Sequence, residues 1–288
     1  LSLNKISLHM KQLFDDTSIK CSQNVTAMYS TSFSLAVKML SAKIQPDIHA
    51  IYGFVRFADE IVDSFHDYDK EALFDEFEED LKTALARKIS MNPILNSFQY
   101  VVNKYNIEYR LIDAFMQSMR ADLHVKDYDT TEAYEEYIHG SADVVGLMCL
   151  KVFVDGDEEK YNHLKFSAEK LGSAFQKVNF LRDIKDDTES LQRTYFPHLE
   201  GQTINSNNKR IIIEEIEADF EAAYLGIKAL PLEAKFGVYT AYVYYKKLLS
   251  KIKTIPAEEL KNQRMRVSNP VKFRLLVQSF VKYQLNLV

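Results

Sequence analysis

The sequence predicts an all-α protein whose helices pack as one bundle around a common core. Apolar residues recur three and four positions apart along most of the 288 residues, which is the spacing of helices with one buried face. Only 8 glycines and 6 prolines interrupt the chain, so long stretches run without a turn signal. A hydrophobic fraction of 47% is enough for a large core and excludes a mainly disordered chain.

The periodic pattern also predicts where the helices lie. Pro46 fits the first turn of one helix, and residues 201–208 form the most linker-like segment, which is too short to separate two domains. The expected helices cover residues 11–29, 46–66, 69–88, 92–105, 108–124, 130–154, 157–190, 209–228, 231–253 and 268–285. Residues 10–288 are therefore predicted to form one domain. Met10 resembles a natural start, and residues 1–9 are expected to be vector-derived or an upstream extension.

Composition and charge exclude several classes of protein. A net charge of -5 argues against a nucleic-acid partner, and no segment reaches the roughly 18 uncharged apolar residues that a membrane span needs. Cys21 and Cys149 fit neither a disulfide nor a metal spacing, and nothing resembles a signal peptide. A cytoplasmic location is therefore expected, while the oligomeric state stays open.

Two carboxylate pairs lie on helix faces that should point into the bundle. In the helix that begins near Pro46, the shared arc holds Tyr52, Arg56, Asp59 and Asp63 together with Ile48 and Val55. In the segment 171–187, a second arc of about 100° holds Gly172, Gln176, Asn179, Asp183 and Asp187. Carboxylates on an inward stripe repel one another and need cations. The pattern predicts an acidic cleft inside the bundle.

Oxygen ligands with few histidines nearby favour Mg²⁺, with Mn²⁺ as an alternative, and Mg²⁺ is usually shared between carboxylates and substrate phosphates. No glycine-rich phosphate loop or dinucleotide fingerprint occurs in the chain. The metal ions are therefore expected to hold a phosphate-bearing substrate.

The acidic stripes have other interpretations. A single Asp-x-x-x-Asp is typical of a solvated helix face, and an acidic helical scaffold for a basic partner is the non-enzymatic alternative. A di-iron bundle needs Glu-x-x-His twice, and only Glu136 to His139 fits. Head-to-tail prenyl elongases and class I terpene synthases usually carry Asp-Asp-x-x-Asp, whereas Ala58 precedes Asp59 here.

Several motifs in order resemble the squalene/phytoene synthase family, and the similarity runs from about Tyr29 to Lys272. They are Tyr29-Ser-Thr-Ser-Phe-Ser-Leu-Ala36, the first aspartate motif Tyr52 to Asp63, the second aspartate motif Leu171 to Asp187, Arg193-Thr-Tyr-Phe-Pro197, Tyr245 to Ile252, and Arg264 to Lys272. Bacterial phytoene synthases look most similar. The resemblance implies an isoprenoid synthase bundle with a central cavity.

The resemblance also implies roles for individual residues. Asp59, Asp63, Asp183 and Asp187 would bind Mg²⁺, while Arg56, Arg193, Arg264 and Lys272 would neutralise phosphate oxygens. Further substrate contacts are expected from Ser32, Phe33, Tyr52, Tyr137, Gln176, Asn179, Tyr195 and Tyr245. Because a carbocation survives only without water, the pocket should be apolar and aromatic, with Phe33, Phe175, Phe180 and Tyr137 as candidates for its lining.

The implied reaction joins two geranylgeranyl diphosphates head to head, through a cyclopropylcarbinyl diphosphate, to phytoene. Farnesyl diphosphate, giving dehydrosqualene or squalene, is the alternative, and NADPH is needed only for squalene. The chain departs from the family at Ser141 and Asp143, which leaves the chain length open. A hydrocarbon product must leave into lipid, so peripheral contact with the inner face of a membrane is expected, through the cationic stretch from Lys246 to Arg274.

Overall fold

The computed structural model describes residues 3–125, 128, 130–186, 195–197, 204–262 and 264–288. Helices make up most of these residues, and none of them lies in a β-strand. The predicted all-α fold is therefore confirmed. None of the described helices is long and apolar enough to cross a bilayer.

Twelve α-helices follow one another along the described part of the chain. They are α1 (Leu3–Tyr29), α2 (Thr31–Lys38), α3 (Gln45–Ser64), α4 (Lys70–Arg87), α5 (Pro93–Tyr105), α6 (Tyr109–Ala121), α7 (Thr131–Ile138), α8 (Val144–Phe153), α9 (Glu158–Asp186), α10 (Ser206–Ala229), α11 (Leu232–Thr254) and α12 (Asn269–Gln284). A π-helical turn, His139–Asp143, joins α7 to α8, and a 3₁₀ turn, Ala257–Lys261, follows α11. Most long helices match the predicted ones within a few residues, but α1 begins at Leu3 rather than at residue 11, and the π-helical turn interrupts the helix predicted over residues 130–154.

Local capping explains two differences from the predicted helices. Helix α2 was not predicted; it is only 8 residues long, and Ser30 caps it by accepting a hydrogen bond from the Phe33 amide at 3.2 Å. Helix α10 begins at Ser206 rather than at 209 because Asn205 and Asn208 form a reciprocal capping box. The predicted linker is therefore partly helical, and its residues 201–203 lie outside the described part.

Two apolar clusters flank α9 and hold the bundle together. In the first, Phe54 of α3 stacks on Phe98 with ring centroids 3.9 Å apart and meets Phe115 at 5.4 Å. The second joins α9, α10 and α11 through residues such as Val178 and Phe220. Because α9 contributes to both clusters and packs along α10, its register positions the side chains in the middle of the bundle.

Gly172 lets α9 approach the π-helical turn at backbone distance. A Cβ atom added at this position would lie 2.8 Å from the Ala142 carbonyl oxygen and 3.0 Å from the Asp143 Cα. Both of these neighbours are backbone atoms, which cannot rotate away as a side chain can. The π-helical turn lies against α9 because this residue has no side chain.

We expect Gly172→Val to lower the free energy of unfolding by about 1–3 kcal/mol, since the added atoms must push the π-helical turn away from α9. Denaturant unfolding monitored by circular dichroism measures this. The control is Asn162→Val, which puts the same β-branched residue at an exposed position of the same helix. Equal unfolding free energies for the two variants would contradict the proposed close packing.

Candidate active site

An elongated cavity of about 300 Å³ lies in the middle of the bundle. Helices α2, α3, α8, α9, α10 and α11 line it with apolar side chains, among them Phe33, Val37, Ile48, Val145, Leu150, Phe153, Leu164, Phe175, Ile227 and Val238. Cys149 also faces the cavity, and burial raises the pKa of its thiol to about 12, so it stays uncharged near neutral pH. The wall therefore suits a long hydrocarbon chain.

One end of this cavity is polar. We call it the polar end and define it by Tyr52, Gln176, Asn179 and Tyr245, which all line the cavity. The Tyr245 hydroxyl donates to the Asn179 Oδ1 at 3.2 Å, and the Gln176 amide donates to the Ser141 hydroxyl at 3.4 Å. Burial raises the pKa of both tyrosines, so their hydroxyls remain protonated donors.

Two aromatic pairs flank the polar end. Phe33 stacks on Tyr52 at 4.7 Å between ring centroids, and Phe175 stacks on Tyr245 at 4.0 Å. The prediction that Phe33 and Phe175 line the pocket is confirmed. Both rings line the cavity, and an aromatic ring can stabilise a nearby positive charge.

Asp59, in the first aspartate motif, is held in a largely desolvated position. Arg56 donates hydrogen bonds to Asp59 and to Glu60, and its guanidinium lies 4.5 Å from the Tyr29 ring centroid. Only a third of the Asp59 side chain, 33%, is exposed. Burial, and then the nearby charge of Asp63, raise the pKa of Asp59 to about 7, although Arg56 opposes this change. The motif carries more negative charge than Arg56 compensates.

Asp122, at the end of α6, is an acidic residue near this motif that the sequence did not single out. It is buried, accepts a hydrogen bond from the Tyr137 hydroxyl at 2.9 Å, lies 3.4 Å from the Tyr128 hydroxyl, and adds to the raised pKa of Asp59. No pattern could have identified it, because it lies in a separate helix and has no acidic partner at helical spacing. Glu60, in the same helix, shares Arg56 with Asp59.

The second aspartate motif carries its own cations. Arg182 Nε donates to Asp183 Oδ1 at 2.9 Å, and Arg264 Nε lies 2.7 Å from the same oxygen. The Met265 amide reaches the Arg182 carbonyl oxygen at 3.5 Å, so the segment before α12 lies against the end of α9. Two arginines therefore surround one carboxylate.

Residues of both motifs lie at the polar end of the cavity: Tyr52 from the first, and Gln176 and Asn179 from the second. Asn179 lies one turn before Asp183 on α9 and accepts the hydrogen bond from Tyr245. Tyr245 in turn lies close enough to Tyr52 to add to its raised pKa, whose main cause is burial. Tyr52 belongs to the same helix as Asp59. The predicted convergence of the two helices thus has a physical connection through Tyr52 and Tyr245.

Asp187 and Arg193, both predicted site residues, lie outside the described residues. Among the residues described, no cluster of three or more histidine, cysteine or acidic side chains is arranged to hold a metal. The four-aspartate Mg²⁺ site therefore stays a prediction. The donor set fits such a cation in its chemistry, because the ligands are carboxylate oxygens and the raised pKa of Asp59 records uncompensated negative charge.

Ser32 and Lys272 lie beside the cavity rather than in its main wall. The Lys272 ammonium donates to the Ser32 hydroxyl at 2.9 Å and lies 5.4 Å from the Tyr244 ring centroid. Together with Ala36 and Ala241, which also line the main cavity, they border a small adjoining cavity. This contact ties α12 to α2 at the edge of the site.

Phe180 and Tyr137 do not line the cavity, contrary to prediction. Phe180 stacks on Tyr195 at 4.0 Å, and Tyr137 meets Tyr195 at 5.4 Å, in the cluster between α7 and α9. Phe180 lies five positions after Phe175 on α9, which turns the two side chains about 140° apart. A substrate contact by Tyr137 or Tyr195 stays a prediction.

The raised pKa of Asp59 predicts a pH dependence of stability. Between about pH 4 and pH 7 the folded protein retains a proton that the unfolded chain has released, so the metal-free protein should lose stability as pH rises across this window. Asp59→Asn has no such proton. The difference in free energy of unfolding between Asp59→Asn and the wild type should therefore shift by about 1–2 kcal/mol in favour of the variant from pH 4 to pH 8. This value is reduced because a third of the Asp59 side chain is exposed and screened by solvent.

Denaturant titrations in EDTA at several pH values measure this difference. The control is Asp155→Asn, which changes an aspartate that is 64% exposed and pairs with Lys43 on the surface. Parallel stability profiles for the wild type and Asp59→Asn would contradict the proposed desolvation of Asp59.

Comparison with known proteins supports the resemblance to the squalene/phytoene synthase family. The family model described as squalene/phytoene synthase matches residues 26–204. A 15-cis-phytoene synthase of Enterobacter agglomerans is 28% identical over 271 residues, which cover 86% of this chain and 90% of that protein. A 4,4'-diapophytoene synthase of Staphylococcus haemolyticus is 26% identical over 196 residues, or 66% of this chain and 65% of that protein.

Solved structures show the same fold. A dehydrosqualene synthase crystallised in complex with a ligand superposes with a TM-score of 0.82 at 20% identity, covering 94% of this chain and 98% of that one. Squalene synthase HpnC from Alicyclobacillus acidocaldarius superposes with a TM-score of 0.72 at 21% identity, covering 83% and 94%. The bundle, the cavity and the match over most of the sequence lead to one conclusion: this chain belongs to the squalene/phytoene synthase family of head-to-head prenyltransferases.

Proposed function

We propose that the protein condenses two molecules of geranylgeranyl diphosphate to phytoene, through a cyclopropylcarbinyl diphosphate, with release of two diphosphates. The observation that carries this proposal is an apolar cavity whose polar end adjoins both aspartate motifs. Leu164 and Asn179, both in its wall, are 15 residues apart on α9, which corresponds to about 22 Å. A cavity of this length suits a long prenyl chain with its diphosphate at the polar end.

The apolar wall would bind the prenyl chains, since each buried methylene contributes about 0.8 kcal/mol. The diphosphates would then lie near Arg56, Arg264 and Lys272, whose charges neutralise phosphate oxygens. Arg264 contacts Asp183 in the absence of substrate, so it is already held close to where a diphosphate would bind.

Asp59, Asp63, Asp183 and Asp187 would hold Mg²⁺ or Mn²⁺, with Asp187 proposed from the motif alone. Bound divalent ions would stabilise the negative charge on each leaving diphosphate, first as the allylic C–O bond of the donor breaks and then as the C–O bond of the cyclopropylcarbinyl diphosphate breaks. The chain's own contribution at this step is to keep Arg56 and Arg182 beside the carboxylates, so that part of their negative charge is balanced within the protein.

The aromatic side chains around the polar end would protect the allylic cation that forms. The rings of Phe33 and Phe175 face the cavity and exclude water, and their stacked partners Tyr52 and Tyr245 keep neutral hydroxyls near the polar end. A dry wall with π faces stabilises positive charge without offering a nucleophile. The cation would therefore react with the second prenyl double bond.

Farnesyl diphosphate is the second candidate substrate, with dehydrosqualene as its product. The Staphylococcus relative named a diapophytoene synthase and the superposition on a dehydrosqualene synthase favour it. Ser141, which departs from the family pattern, lines the cavity, and Asp143 accepts a hydrogen bond from Ser173 at 2.7 Å. NADPH would be required only if the product were squalene.

The substrate assay should yield phytoene from geranylgeranyl diphosphate, dependent on added Mg²⁺ and identified by mass spectrometry of the hydrocarbon extract. Asp59→Asn and Asp183→Asn should each lower kcat/KM by more than about a thousandfold, since metal ligation stabilises the leaving group by several kcal/mol. Asp155→Asn, on the surface, is the matched control and should retain full activity.

A C30 hydrocarbon from farnesyl diphosphate alone would replace the proposed substrate and keep the reaction class. No hydrocarbon from either substrate, with correctly folded protein, would overturn the catalytic proposal and favour the acidic scaffold.

Tyr245→Phe tests the polar end separately. The variant keeps the ring stacked on Phe175 but loses the hydroxyl that donates to Asn179. We expect kcat to fall about tenfold, as one hydrogen bond of about 1.4 kcal/mol corresponds to that factor, with an unfolding free energy within about 1 kcal/mol of wild type. Tyr244→Phe, one residue away, is the control, and equal kcat values for both variants would argue against a role for the Tyr245 hydroxyl.

A further inference from the structure

Helix α12 exposes an apolar stripe on its outer side. Phe273 is 68% exposed, Val277 45%, Phe280 49% and Val281 49%. At 100° per residue these four positions fall within about 100° of one another, so they form one continuous face. Single exposed hydrophobic residues are ordinary on a protein surface, but a continuous stripe marks an interaction surface. We call these four residues the outer face of α12.

The opposite side of α12 is firmly attached to the bundle. Ser279 is buried, Tyr283 packs against Phe236 of α11 at 5.2 Å, and Lys272 contacts Ser32 of α2. The helix thus has one side against the protein and one largely against solvent, with Phe280 at the border, where its ring also meets Phe236 at 5.8 Å. Leu285 and Leu287, which are 63% and 61% exposed, continue the apolar surface beyond its end.

All charged side chains in the chain segment that contains this face are positive. No aspartate or glutamate follows Glu259, whereas the same segment contains Lys261, Arg264, Arg266, Lys272, Arg274 and Lys282. Arg266, Arg274 and Lys282 are exposed. This concentration of positive charge occurs in a chain whose net charge is -5. An apolar stripe on a helix whose only charged side chains are cations complements a surface that is both apolar and anionic.

We propose that the outer face of α12 docks on the anionic surface of a lipid bilayer. A second copy of the chain is a poorer partner, because two such faces would bring like charges together. Not every cation of the predicted Lys246 to Arg274 stretch is available to lipid. Lys253 pairs with Glu217, whereas Arg274 is exposed next to Phe273 in the outer face. The membrane contact is thereby assigned to α12.

The position of α12 also links the bilayer to the cavity. Its inner residues Lys272, Leu275 and Leu276 border the small cavity that shares Ala36 and Ala241 with the main one. This link rests on the proposed function: a hydrocarbon product leaving near α2 and α11 would meet lipid rather than water.

Co-sedimentation of the full chain with vesicles tests the docking without any prenyl diphosphate, so its result is separate from that of the substrate assay. The wild type should pellet with phosphatidylcholine vesicles that contain phosphatidylglycerol and far less with pure phosphatidylcholine. Phe273→Glu with Val277→Glu should lower the apparent affinity at least tenfold, and Arg274→Gln and Lys282→Gln about fivefold each. Ile89→Glu with Met91→Glu, which changes exposed apolar residues between α4 and α5, is the matched control.

Circular dichroism should show unchanged helicity for every variant. Failure of the wild type to pellet, pelleting that does not depend on phosphatidylglycerol, or equal pelleting of the Phe273 and Val277 double variant would each overturn the proposal. Gel filtration supplies a further decisive result: a wild-type dimer that this double variant converts to a monomer would assign the face to a second copy.

Discussion

The desolvated carboxylate of Asp59, at the junction of an apolar cavity and an acidic helix face, is the constraint around which the site is arranged. A carboxylate in such surroundings resists ionisation, and the nearby charges of Asp63 and Asp122 increase that resistance. Arg56 compensates only in part, because it is shared with Glu60. The first motif is therefore ready to accept further positive charge, which substrate binding with divalent cations would provide.

In the second motif, the negative charge of Asp183 is balanced in a different way. Asp183 already has two arginines, Arg182 and Arg264, so its charge is balanced within the protein. Arg264 comes from the segment before α12, far along the chain, and it can contact a diphosphate only if that segment lies against α9. The hydrogen bond between the Met265 amide and the Arg182 carbonyl provides that attachment. Asp183 and Asp59 thus differ in charge balance although both belong to an aspartate motif.

Helix α9 connects the charged site to the apolar cavity. Its residues from Leu164 to Asn179 form one wall, and Asp183 follows one turn later. Gly172 brings this wall against the π-helical turn, where Ser141 faces the cavity and Asp143 bonds to Ser173. Ser141 and Asp143, which depart from the family pattern, therefore lie at a contact that shapes the cavity. Changes there could alter the length of the prenyl chain that fits without changing the charged site.

The sequence by itself determined the all-α class, the bounds of most long helices apart from the start of α1, and the helix faces that carry Asp59 and Asp183, because each follows from spacing along a single helix. It did not show the short helix α2, whose formation depends on the Ser30 cap. It also did not show that Phe180 turns away from the cavity that Phe175 lines. Only the tertiary structure decided that Asp122 approaches Asp59, that Arg264 reaches Asp183, and that the outer face of α12 stays exposed. Each of these depends on contacts between residues far apart in the chain, and local periodicity carries no information about which helix faces meet.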